Sequence, residues 1–450
     1  RRGSVTLSNA TATAKTILLS QANEDEEIRA ELSVENSSLT ADAITNYGAV
    51  NVTGASTLDA EFMAAGTGLL NLNSVAFGSG TSVNDTASYT NNTIGSEIVM
   101  TGTNTLTDGA FVSTGWSKNF RLGYETGTES DSLEISGGAT LKVGGVSYIG
   151  SDPEDKKAGA YQVTVSGAGS SFAGSGAGGD LYLRGDGQLT VKDDASASFS
   201  YADIKGSVIL ENGNFSFIDS RLIGTIAMDY ASTLTFSGEI NSAGGAITVD
   251  MTDFSGGVYK LIDYTGNNSY TEEQYKALLA EGNWNDNFVI INKDLYAANA
   301  DTSTLKVNTA WKNTEIGTEV EEGFYYGFNA FDTLSTTIAN ITNNTTNISI
   351  AASDYAGSAD AEFTQGVAID SNGAKFDNMW SFGVNSDTAA EFNPETAEKF
   401  TVSGELTVGQ FYAEKNANVY VVIDGDLTTV GSFGAKLATQ LDINGSVTVT

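Results

Sequence analysis

Short runs in which apolar and polar residues alternate recur along most of the chain. Three of them close it: "VSGELTVGQF", "VIDGDLTTVG" and "DINGSVTVT", with Gly404, Gly425 and Gly445 standing 21 and then 20 residues apart. Alternation of this kind puts one row of side chains inside and the other in water, the signature of a half-buried strand. The middle of the chain repeats the device in "GQLTVKDDASASF", "GSVILENGNFSF" and "GTIAMDYASTLTF", which begin at Gly187, Gly206 and Gly224. Just before them an ordered triplet recurs. Its first members are "FRLG", "SYIG" and "LYLR"; its second are "SLEIS", "YQVTVS" and "QLTVK"; its third are "ATLKV", "SSFAG" and "ASASF". A period near 20 residues with several strands per period predicts a solenoid, each coil laying its strands on the last. The Gly, Asn and Asp residues are expected at the corners, where φ can be positive. A plain antiparallel sandwich would not keep that ordered triplet.

Two segments break the pattern. In "TEEQYKALLAEG", Thr271 and Gln274 form a capping box, Tyr275, Leu278 and Leu279 share a face, and Gly282 can end the helix. In "GFNAFDTLSTTIANI", Phe331, Leu334, Ile338 and Ile341 have the spacing of one helical face. The expected organisation is an all-β chain: a first β-solenoid over 1–258 and a closing module with one short helix over 259–308. A linker and opening helical cap over 309–357 then lead to a second β-solenoid over 358–450 that stops mid-coil, as a piece of a longer tandem array would.

Composition sharpens this picture by exclusion. The 450 residues include 56 acids against 22 Lys and Arg, a formal charge of −34, which disfavours nucleic acid and anionic lipid as partners. No Cys and no His occur, so disulfides, thiol nucleophiles and imidazole chemistry are absent from the chain. With 50 Gly but 40% hydrophobic residues, the chain is too apolar for a disordered low-complexity segment. No apolar run approaches the roughly 20 residues of a membrane helix, so direct membrane insertion of this segment is not expected. The N-terminal "RRGSVTLSNA" lacks the hydrophobic region of a signal peptide.

The phrases "LEISGGATLKVGG", "YQVTVSGAGSSFAGSG" and "DLYLRGDGQLTV", within Asn119–Phe199, resemble the strand-and-turn units of bacterial autotransporter passenger regions and related giant surface proteins. The segment "GVYKLIDYTG", Gly257–Gly266, resembles the piece that often closes such a block, and "GFNAFDTLSTTIANI" with "ISIAASDYAG" is similar to the opening of pectate-lyase-like right-handed β-helices. The resemblance implies export, a right-handed parallel β-helix, and adhesive, self-associating or scaffold roles. The family's membrane-anchoring β-barrel is not recognisable here.

Candidate chemistry is sparse. Asp193 and Asp194 in "KDD" are the candidate calcium ligands, at a place where a coil turn is also expected. Calcium is the one cofactor the sequence leaves open, although no EF-hand or other ordered ligand motif is present. The acids of Asn23–Arg29 and of "DPEDKK", Asp152–Lys157, are expected in solvated loops. Arg121 and Arg184 each follow an aromatic in the first strand of a coil; an outward-facing solubilising row is expected, and an arginine ladder over bound anions, stacked in successive coils, is the alternative. The aromatic cluster "GFYYGFNAF" could stack sugars or pack under the second helix. The expectation is an exported bacterial surface or secreted protein, a structural or adhesive β-helix rod with no catalytic residues. It would make weak multivalent contacts with cell-surface or matrix glycans or proteins, or with copies of itself. The alternative is a carbohydrate-active β-helix, a polysaccharide lyase or hydrolase, which needs a convergent set of acids.

Overall fold

The computed structural model describes residues 3–19, 30–46, 49–53, 57–64, 69–73, 76–77, 82–83, 97–101, 103–107, 109, 111–114, 118–123, 130–151, 159–267, 270–284, 287–383, 392–413, 418–435 and 439–450; between residues 40 and 97 this is backbone alone. Asn23–Arg29 and Asp152–Lys157 lie outside the described residues. The chain divides into two compact units, residues 1–254 with 260–297 and residues 255–259 with 298–450. Both are built mostly of β-strands in parallel ladders.

In the first unit the ordered triplet of the sequence is reproduced strand by strand. Phe120–Leu122 pairs in parallel with Ser147–Ile149, which pairs with Leu181–Leu183. Ser130–Ile135 pairs with Ala160–Ser166 and that with Gly187–Lys192. Thr140–Val143 pairs with Ser171–Gly174 and that with Ser196–Ile204. The last strand is long because it serves two ladders: Ser196–Ser198 continues the third, while Ala202–Ile204 lies against Leu181–Leu183 and continues the first. Register is fixed by the buried rows. Leu133, Val163, Leu189, Val208, Ile226 and Ile247 stack in one line, each at most 1% exposed. A one-residue slip would turn that whole row outward. A second line runs Leu141, Phe172, Ala197, Phe215, Leu234 and Ile262, the small Ala197 sitting between two large rings.

The second unit visits three sheets in a fixed order. Asn347–Ile350, Asp354–Tyr355 and Ala361–Phe363 lie in the seven-, five- and four-stranded sheets, and the next three strands, Ala368–Asp370, Lys375–Phe376 and Met379–Phe382, follow in the same order. Phe363 stacks on Phe382 at 5.1 Å, and Trp380, Phe411 and Phe433 continue a neighbouring row. The segment Thr304–Val307, which the sequence places in the closing module, pairs with Asn347–Ile350 and belongs to this unit.

The repeating glycines have a cause other than backbone angle. A Cβ on Gly206 would overlap the carbonyl oxygen of Gly187, one on Gly224 that of Gly206, and one on Gly245 that of Gly224. Gly425 and Gly445 meet the carbonyl oxygens of Gly404 and Gly425 in the same way. Among these, only Gly404 has a positive φ, +80°. The period therefore marks where successive backbones pass too closely for a side chain.

Helix α1 spans Glu272–Leu278 with the expected reciprocal Thr271–Gln274 capping box. It stops before Gly282, because Leu279 leaves the helix to bridge Ile247. The Ala280 N–H donates to the Ile247 carbonyl at 2.8 Å. Asn283 then imitates a strand, accepting from the Val249 N–H at 2.8 Å and donating to its carbonyl at 3.1 Å. Helix α2 is Leu334–Ala339, capped by the Thr333 hydroxyl. Phe331, expected on its face, instead lies in a two-residue strand with Ala330, held by Lys306 and Val307. No helix among the described residues is long and apolar enough to cross a membrane.

Candidate functional site

Outward positions in the first ladder of unit 1 form one row. Register places Arg121, Tyr148, Tyr182, Asp203, Arg221 and Asn241 at successive levels. An arginine ladder is not formed, because Arg184 occupies the position of Gly150 in the strand before, two residues along from Arg121's row. The two guanidiniums meet over a tyrosine instead. Arg121 lies 4.9 Å from the Tyr148 ring centroid, and Arg184 lies 5.6 Å from Tyr148 and 5.9 Å from Tyr182. A Cβ on Gly150 would overlap the Arg184 side chain, so glycine there opens the path to Tyr148. Cation–π contact fixes the planes of the guanidiniums.

The tyrosines are half-buried and close. Tyr148 and Tyr182 are 5.5 Å apart at 39°, and Tyr182 and Tyr201 are 6.3 Å apart. Burial raises the phenol pKa of both Tyr182 and Tyr201, and the nearby Asp180 and Asp203 carboxylates raise them further, so both stay protonated as donors. Burial also raises Asp180, partly offset by a hydrogen bond from the Tyr201 backbone. Asp203 faces outward by register yet is only 7% exposed. Lys205 stands 3.7 Å from its Oδ2, while Oδ1 has no hydrogen-bond partner among the described residues. The Arg184 Nε is likewise buried and without one. A buried acceptor and donor left unmatched beside half-buried aromatic rings are unusual in a settled surface. The strip can stack a flat apolar face, accept from a hydroxyl and donate to one.

Sequence reasoning named Arg121 and Arg184 but missed Asp203 and Tyr201. The signal was there: "ADIK", Ala202–Lys205, is the fourth copy of the "FRLG", "SYIG", "LYLR" phrase. It is hidden because no turn separates it from the strand before.

The other candidates fall elsewhere. Asp193 and Asp194 sit at a corner with φ of 56° and 64°, their N–H groups donating to the carbonyls of Glu211 and Asn212. Asn212 Nδ2 donates to Asp194 Oδ1 at 3.1 Å. Among the described residues, no group of three or more acids gathers as a metal site. In "GFYYGFNAF", Phe331 is buried and Phe324 lies 3.8 Å under the Lys306 ammonium. The buried Asn329 ties the turn by accepting from the Tyr325 N–H and donating to the carbonyls of Asp301 and Gly323. A cleft of about 510 Å³ in unit 2 is lined by Asp354, Asp360, Lys375 and Asp377 among others. Asp354 accepts from the Ala356 N–H, Asp360 from the Met379 N–H and Asp377 from the Gly357 N–H, so all three of its carboxylates hold backbone turns.

No family model matches the chain, and no curated protein matches it. Among solved structures, the C-terminal domain of Tapirin from Caldicellulosiruptor kristjanssonii is similar over 100% of this chain and 90% of that chain, at 12% identity and a TM-score of 0.18; a likeness at that score carries no argument about fold or function.

Proposed function

We propose that the chain is an exported structural and adhesive protein whose parallel ladders wind as right-handed β-helices. It would act as a stalk, scaffold or adhesin that makes many weak contacts from its outward side-chain rows. The observation that carries this reading is the fixed order in which successive segments visit the same parallel ladders, with glycines at the close passages between levels. Such a framework is stiff along the stacking direction and tolerates variable loops and outward rows. Repetition of a weak contact at each level multiplies into useful avidity. The test is gentle protease shaving of intact source cells, with the released peptides mapped. Peptides of this chain in the shaved fraction are the expected result; their release only after lysis would overturn the reading.

A second reading, a carbohydrate-active β-helix, is favoured by the acid-lined cleft of unit 2. It predicts product release from some polysaccharide in a panel assay, and loss of that activity in Asp354→Asn. The carboxylates committed to corner N–H groups support the structural reading over this one.

A further inference from the structure

Within the contact-making role, on which this inference rests, we infer that the strip of Tyr148, Tyr182 and Tyr201 with Arg184 and Asp203 binds a neutral glycan chain. Three features select that chemistry. Half-buried phenol faces spaced 5.5 and 6.3 Å apart match the apolar faces of successive pyranose rings, stacked along the ladder direction. Among the described residues Asp203 Oδ1 lacks a donor and Arg184 Nε lacks an acceptor; a sugar hydroxyl can serve as either. Charge decides between glycans. Among the described residues around the strip, Arg121, Arg184, Lys205 and Arg221 are matched by Asp180, Asp186, Asp203 and Asp219, four against four, inside a chain of −34. A locally balanced patch in a strongly negative field gives an acidic polymer no attraction and a neutral one no penalty. Because the row climbs from level to level, the ligand is a chain rather than a single sugar.

The test is an array of neutral and acidic oligosaccharides probed with the full chain, followed by calorimetry on the retained glycans. Neutral oligosaccharides are expected to bind, with affinity rising from two to four sugars. Tyr182→Ala should weaken binding at least tenfold while Tyr182→Phe, which keeps the face, retains most of it; circular dichroism and melting check that both fold. Retention of acidic glycans only, retention of none, or equal binding by wild type and Tyr182→Ala would each overturn the inference. None of these results touches the surface-rod reading, which the shaving experiment decides separately.

Discussion

The last described level of a ladder differs in burial between the two units. In unit 1 the eight-stranded sheet ends at Ala246–Asp250, yet Ile247 is 0% and Val249 3% exposed, no different from the level before. In unit 2 the row Ile348, Ile369, Val402 and Ile423 is buried to within 2%, and then Ile443, next in register, is 40% exposed. The adjacent row passes from Val408 at 0% to Val449 at 57%. The strands themselves are alike; in unit 1 the segment Leu279–Asn283 is laid over the edge. Leu279, Ala280 and Asn283 supply unit 1 with hydrogen bonds that an edge strand would otherwise offer to another chain. A ladder of this type is thus only as closed as its last cover.

The strongest way to break this contrast is to remove the anchor of the cover. Tyr275 of α1 is fully buried and its hydroxyl donates to the Lys293 carbonyl. Tyr275→Ala should cost about 3–5 kcal/mol, the range for deleting a buried ring. It should also bring hydrogen exchange at Ile247–Val249 up toward that at Thr439–Ile443. Exchange at Ile247–Val249 that stays slow despite a lowered melting temperature would show that the cover does not protect the edge.

Close backbone passage supplies a second comparison. Gly224→Ala and Gly445→Ala each drive a methyl into the carbonyl oxygen one level below. Gly224 has further levels stacked on it, whereas Gly445 lies in the last described level. Gly224→Ala should therefore lose about 1–3 kcal/mol, the usual cost of overpacking, and Gly445→Ala clearly less, because its strand can shift outward. Equal losses in urea melts would show that the clash is relieved locally at both.

A smaller effect is expected from Asn283→Ala. It strips both hydrogen bonds from Val249 but leaves the Ile247 bridge, so about 1–2 kcal/mol should be lost, the cost of leaving buried backbone groups unmatched. Exchange should rise at Val249 and not at Ile226, which tests whether the cover acts bond by bond or as a block.

These tests concern features that were unevenly legible in the sequence. The alignment of "SLEIS" over "YQVTVS" over "QLTVK" is the observed register, because alternation leaves one choice of inward face. The capping box at Thr271 was legible too, since it depends on residues three apart. What failed depended on contacts between distant levels. The spacing of Phe331 is helical, but its backbone is taken by Lys306 and Val307. Gly282 is a plausible helix stop, but a bridge to Ile247 ends α1 first. The candidate strip was half legible: the arginines stood out, whereas Asp203 draws its meaning from Tyr182 one level below, some twenty residues away in sequence.

Alkaline pH gives the least effect and the finest resolution of the two units. In unit 2, Tyr355 stacks on Phe376 at 4.5 Å and donates to the carbonyls of Val307 and Ala351, and burial pushes its phenol up to about 12. An unfolded tyrosine ionises near 10, so the folded value is raised. The stability it contributes is fully present below about pH 10 and lost as pH climbs to about 12. Unit 1 carries more such groups beneath its cover. Tyr275 and Tyr270 are raised by burial, and Lys260, which burial alone would lower, is raised on balance by its hydrogen bonds to Asp263 and Asp294. Each is raised in the folded state, so each loses its contribution in the same direction above about pH 10. Between pH 9 and 12, exchange at Ile247–Val249 should therefore accelerate before exchange at Ile348–Ile350, and Tyr355→Phe should flatten the response of unit 2 alone. If Ile348–Ile350 opened first, the cover of unit 1 would owe its hold to apolar packing rather than to its buried phenols and lysine.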